Sequence, residues 1–157
     1  MDEEYDDETV SSVSSSSSGP EVGEQLRMSD IDDELIEKYS NVSKQNLDAL
    51  VAAGVEPKLI PTMVEKLADY RYINTLDDLI DGQYIRWIKY PPTTLARGAL
   101  LCYVIFSNNG GDDVLLCATP FKRYFHMDVP AGPIFQKLTE TEHDIINIIA
   151  YMEHNNL

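Results

Sequence analysis

His126 and Asp128 come closest to acid–base equipment in this chain. In the run RYFHMD, strand alternation sets Tyr124, His126 and Asp128 on one face, and an imidazole beside a carboxylate can hold or move a proton. The same pair also makes an ordinary hydrogen bond on a strand rim, which is its commoner use. His143 and His154 lie at the two ends of a later helical stretch, and no two of the histidines have the spacing of a zinc pair. Cys102 (LLCYVIF) and Cys117 (VLLCAT) sit in apolar runs and read as reduced core residues, with a cross-hairpin disulfide as the alternative. Gly110-Gly111 lies between Asn108, Asn109, Asp112 and Asp113, with neither the Lys-Ser/Thr pair nor the following helix of a phosphate loop. No nucleophile elbow is present. The expectation is a protein that is not an enzyme, with no catalytic residue, metal site or cofactor.

Binding chemistry is better supplied. Residues 82–138 hold 6 Lys and Arg against 3 Asp, and 9 of the 14 aromatic residues, within a chain of net charge −15. A small basic, aromatic sheet is the composition that binds single strands or stacks on bases. Arg86, Trp87, Lys89, Lys122, Arg123 and Tyr124 are the candidate interaction face. The plainer reading is that the aromatics fill a core and the cations protect exposed strand edges.

The elements that would position these residues follow an acidic front end. Residues 1–38 carry 13 Asp and Glu against 2 Lys and Arg, a local charge of −11, and the remainder carries 14 against 10. Overall acidity opposes bulk binding to phosphate backbones or anionic membranes. Residues 1–28 join an acidic run to the serine tract Ser11–Ser18, with too little apolar surface to offset chain entropy, so a disordered tail is expected. Ser18 and Ser29 each have an acid three residues on, the pattern acidophilic kinases prefer. The N-terminus lacks the basic and apolar regions of a secretory signal, and the longest apolar stretch, Ala99–Phe106, is too short to span a bilayer. An intracellular protein without membrane contact is expected.

Residues 29–157 read as one α+β domain, helical over 29–80, strand-rich over 82–138 and helical again over 140–154. Ser29 is the expected N-cap of a short helix to about Tyr39. Ser43 opens a second helix that Gly54 stops. Pro61 opens a third, in which Met63, Val64, Leu67 and Tyr70 share helical spacing, and Thr75 with Asp78 suggests a capped last turn. Five strands are expected: Gln83–Lys89, Ala99–Ser107, Val114–Thr119, Arg123–Val129 and Ile134–Leu138. The second and third, apolar almost throughout, read as central strands covered on both faces, with NNGGDD (108–113) as the hairpin loop between them. Tight connections suggest a bent antiparallel sheet or a small, Tudor-like barrel. Thr139 and Glu142 form a capping box for an amphipathic helix carrying Ile145, Ile148, Ile149 and Met152.

The phrases LxxLIDGQYIRWI from Leu76, KRYFHMDV from Lys122 and IFQKLTETEHDIINII from Ile134 resemble small proteins of large nucleocytoplasmic DNA viruses, over residues 76–150. The resemblance implies a virion-associated structural or accessory protein, such as a minor capsid component in contact with capsid subunits. Its motifs are structural, and it assigns no functional residue. The function expected is therefore a structural or protein-interaction component. The alternative is a nucleic-acid-binding accessory protein using the basic aromatic face.

Overall fold

The computed structural model describes residues 26–91 and 93–155. Four α-helices and seven strands form an α+β fold: α1 Asp33–Tyr39, α2 Val42–Ala52, α3 Ile60–Lys66, β1 Tyr70–Ile73, β2 Tyr84–Lys89, β3 Thr94–Leu95, β4 Ala99–Ile105, β5 Val114–Ala118, β6 Tyr124–Asp128, β7 Ile134–Lys137 and α4 Glu140–His154. The sheet is antiparallel in the order β1-β7-β2-β4-β5-β6, with β3 paired onto β2. It is open, bounded by β1 and β6 among the described residues, so the expected small barrel is not closed and the sheet has seven strands rather than five.

The two additional strands arise in different ways. Tyr70–Ile73 (YRYI) continues the helical spacing of Met63 and Leu67, but the chain turns at Leu67, whose N–H bonds Met63 and whose carbonyl accepts from Tyr70. From there each residue pairs with β7, Tyr72 opposite Phe135 and Ile73 opposite Ile134. Pairing distant in sequence thus overrides local periodicity, as strand propensity commonly allows, and the block 29–80 is not wholly helical. Thr94–Leu95 is a two-residue return onto Ile88 and Lys89 after the Pro91-Pro92 break.

Some of the expected helix signals hold and others do not. Thr139 Oγ1 accepts from Glu142 N–H while Glu142 Oε1 accepts from Thr139 N–H, the expected box. Pro61 sits in the first turn of α3, and Gly54, at φ 83°, ends α2. Ser29 is not an N-cap: it lies exposed in the 3-10 turn Met28–Asp30, and Asp32 caps α1 by accepting from Leu35 N–H at 2.9 Å. Ser43 lies inside α2, which opens after Asn41. Leu76–Asp78 is a 3-10 turn without a side-chain bond from Thr75. Most of the expected tail, with Ser18, lies outside the described residues.

Alternation along β7 and β2 sends residues to two cores. On one face Phe135, Ile88 and Tyr70 meet Leu50, Val55, Met63 and Leu67 of the α2–α3 layer. On the other, Ile134, Ile85 and Ile73 pack with Ala99, Leu101, Leu115 and Cys117. A third cluster joins Ile31 and Tyr39 to Ile145 and Ile149, so the last helix packs on α1. At Gly98, φ is 105° and an added Cβ would stand 2.3 Å from the Ile85 carbonyl oxygen, so only glycine lets the chain enter β4 against β2. Among the described residues, no helix is long and apolar enough to cross a membrane.

Candidate interaction surface

The two edges of the sheet are finished differently. On β1, antiparallel alternation turns the backbone groups of Arg71 and Ile73 toward β7 and those of Tyr70 and Tyr72 outward. Asn46 of α2, almost wholly buried, meets both outward groups. Its Oδ1 accepts from Tyr72 N–H at 2.7 Å, and its Nδ2 donates to the Tyr70 carbonyl at 2.9 Å. The amide acts as one peptide unit of an absent strand and closes this edge. Gln136 plays a similar part between β7 and the 76–80 segment, donating to the Ile80 carbonyl and accepting from Ile80 N–H, each at 2.8 Å.

On β6 no comparable side-chain bond occurs among the described residues. Thr119 N–H bonds the Arg123 carbonyl at 2.8 Å, which sets the phase of the β5–β6 ladder. Phe125 and Met127 therefore turn their backbone groups toward β5, and Tyr124, His126 and Asp128 turn theirs away from the sheet. Among the described residues β6 pairs with β5 alone.

Several apolar side chains beside this edge are exposed among the described residues. The α2–α3 layer packs on β1, β7 and β2, and the same face of β4 and β6 carries the exposed side chains. Tyr103 stands opposite Leu116, which stands opposite His126, and Ile105 follows through Val114 to Asp128. Tyr103 is 48% exposed and Tyr124 67% exposed, with Ile105 and Phe106 also exposed. The expectation that β4 and β5 are covered on both faces is corrected here. The β4–β5 register shifts between Leu101 and Tyr103.

The tight β5–β6 turn completes the surface. Lys122 N–H bonds the Thr119 carbonyl at 2.9 Å and Lys122 takes φ 64°, so Pro120 and Phe121 form the turn and a left-handed residue closes it. Phe121 projects at the tip, 73% exposed, flanked by exposed Lys122 and Arg123. An aromatic at a hairpin tip gains nothing from its own fold, so its apolar area stays available to a partner.

Of the candidate residues read from the sequence, Lys122, Arg123 and Tyr124 are brought together here. Arg86, Trp87 and Lys89 are on β2, three strand spacings from β6, or about 14 Å. Arg86 donates from Nε to the Ala96 carbonyl at 2.9 Å, and Trp87, on the opposite face, packs into the second core beside Ile134. The β2 and β6 residues do not form one platform. His126 and Asp128 share the exposed face, but no hydrogen bond joins them among the described residues.

A cleft of about 410 Å³ lies between α2, the end of β1 and the β6–β7 loop, lined by Ala49, Ala53, Tyr72, Tyr90, Pro130 and Gly132 among others. No Asp, Glu, His, Cys, Lys or Arg lines it. Among the described residues, no group of His, Cys, Asp and Glu is placed to hold a metal ion. Cys102 and Cys117 are free thiols, and burial, then the neighbouring Cys102, pushes the Cys117 thiol up to about 11.

Tyr103, Ile105, Phe106 and Phe121 were not among the residues picked from the sequence. The turn TPFK was the available signal, a phenylalanine where a polar residue would serve as well. In comparisons with known proteins, no family model matches this chain, and neither a curated protein nor a solved structure does.

Proposed function

We propose that the protein is a non-enzymatic structural or interaction component, which docks on other proteins through the outer face of β4–β6 and the Phe121 tip. The observation that carries this reading is the set of exposed apolar side chains Tyr103, Ile105, Phe121 and Tyr124, beside a strand edge that pairs with no further strand among the described residues, in a fold that closes its other edge with Asn46. Proteins generally blunt open edges and cover apolar faces, so a fold that leaves both together offers a place to dock.

The resemblance over residues 76–150 extends the proposal to an intracellular component of a large assembly, a minor virion protein among capsid subunits. The test is to sediment particles from cells making the chain at native abundance and identify fast-sedimenting proteins by mass spectrometry. Presence at a fixed ratio to the assembly's main subunit supports the reading. A chain found only among slowly sedimenting proteins refutes it. Nucleic-acid binding is the weaker reading, because Trp87 is committed to a core and Arg86 to a backbone carbonyl.

A further inference from the structure

We infer that β6 is a self-pairing edge, across which two copies of this chain join antiparallel into one continuous sheet. The inference rests on the interaction reading above and names its first partner, a second copy. Three observations converge on it. The backbone groups that β6 turns outward belong to Tyr124, His126 and Asp128, a set symmetric about His126. Two such strands related by a twofold axis at His126 place Tyr124 opposite Asp128 of the other copy, so every outward N–H and carbonyl of one meets its complement on the other.

The strand's charge is also self-complementary. Lys122 and Arg123 stand at its start and Asp128 at its end, all exposed. Antiparallel pairing brings the cations of each copy beside the carboxylate of the other. Parallel pairing would stack like charge on like. The acidity that would repel two copies is concentrated in residues 1–38, while 122–128 carries two cations and one anion.

The edge also lacks two of the devices that block pairing. It has no proline and no inward charge: its inward side chains, Phe125 and Met127, pack into the second core. The edge at β1, by contrast, is closed by Asn46. A short strand pair is a small interface, so the affinity expected is weak, in the range of about 10 μM to 1 mM.

The test uses the full 157-residue chain at about 0.15 M salt, where like-charge repulsion beyond a Debye length is screened. Weight-average mass by sedimentation equilibrium should climb from one copy toward two as concentration approaches about 1 mM. Over the same range the amides of Tyr124, His126 and Asp128 should gain hydrogen-exchange protection at least several-fold, while those of Phe125 and Met127, already bonded to β5, should not change. In the His126→Pro variant the lost N–H points away from β5, a position where an edge strand tolerates proline. It should stay a single copy while melting as a folded protein. Where that variant fails to fold, the amide pattern of the native chain decides alone.

A native chain that remains one copy at about 1 mM, with unchanged amides, overturns self-pairing. So does a folded His126→Pro chain that dimerises as the native one does. Either result leaves docking on a different protein standing, because that is read separately by co-sedimentation.

Discussion

Nε of Arg71 lies 2.9 Å from Oε2 of Glu142, and the two side chains are 6% and 5% exposed. The same oxygen accepts from Tyr39 Oη at 2.7 Å, and the other carboxylate oxygen caps the N-terminus of α4. One carboxylate thus joins α1, β1 and α4, with the Arg71 guanidinium 5.3 Å from the centre of the Tyr39 ring.

Breaking this junction from one side should cost more than removing it. Arg71→Met leaves the Glu142 carboxylate buried without its cation and should destabilise by about 3–5 kcal/mol. Tyr39→Phe removes one bond to a charged acceptor and should cost about 2 kcal/mol. The double variant Arg71→Met with Glu142→Leu should lose less than the sum of its single changes. Chemical denaturation of the four chains measures this directly, and strict additivity would mean that the pair is not coupled.

The junction also sets an alkaline limit on stability. Burial first, then the bond to Glu142, raises the Tyr39 hydroxyl well above its ordinary value of 10.0. Below pH 10 the phenol is protonated whether the chain is folded or not, so its contribution is fully present. Above pH 10 the unfolded chain releases the proton and the folded chain holds it, so stability falls as pH rises. Cys117, raised from 9.0 to about 11 by burial, acts in the same direction from about pH 9. Thermal melts from pH 8 to 11 should show a decline that Tyr39→Phe flattens above pH 10. An equal decline in that variant would assign the limit elsewhere.

Asn46→Leu should open the closed edge. It orphans the Tyr72 N–H and the Tyr70 carbonyl, and buried orphaned groups cost about 1–3 kcal/mol each. The melt should drop accordingly, and the Tyr72 amide should lose exchange protection before the amides of β7 do.

Gly98→Ala should be among the most damaging single changes. Its Cβ meets the Ile85 carbonyl oxygen at 2.3 Å, and φ 105° is strained for any other residue. A loss of about 3 kcal/mol or more is expected. Gly110, at φ 77° with open space around it, should lose only the strain, about 1–2 kcal/mol.

What the sequence revealed and what it hid divide along a physical line. Thr139 with Glu142, Pro61 and Gly54 carry their meaning within a few residues, and each marks its helix where the structure has it. The five expected strands match to within two residues at either end, because alternation and turn chemistry are also local. β1 was hidden because YRYI becomes a strand only through β7, more than sixty residues later. Asn46 was hidden because nothing near it shows which backbone it would serve. The apolar run of β4 reads the same whether a helix covers it or not, so its open outer half could not be told from a buried one. Lys122, Arg123 and Tyr124 were legible as an exposed basic-aromatic group, but their separation from Arg86 and Trp87 depends on strand order.

Replacing Phe121 and Tyr124 with serine removes apolar area that the fold does not use, so the melting temperature should stay within a few degrees of the native chain. The most direct measurement is therefore co-sedimentation of the native and Phe121→Ser/Tyr124→Ser chains with the large assembly proposed to hold the protein. Docking through the β4–β6 surface predicts that the native chain travels with the assembly and that the folded double variant is depleted from it by at least tenfold, about 1.4 kcal/mol of lost binding. Equal incorporation of the two chains, or a native chain that never enters an assembly, would contradict it.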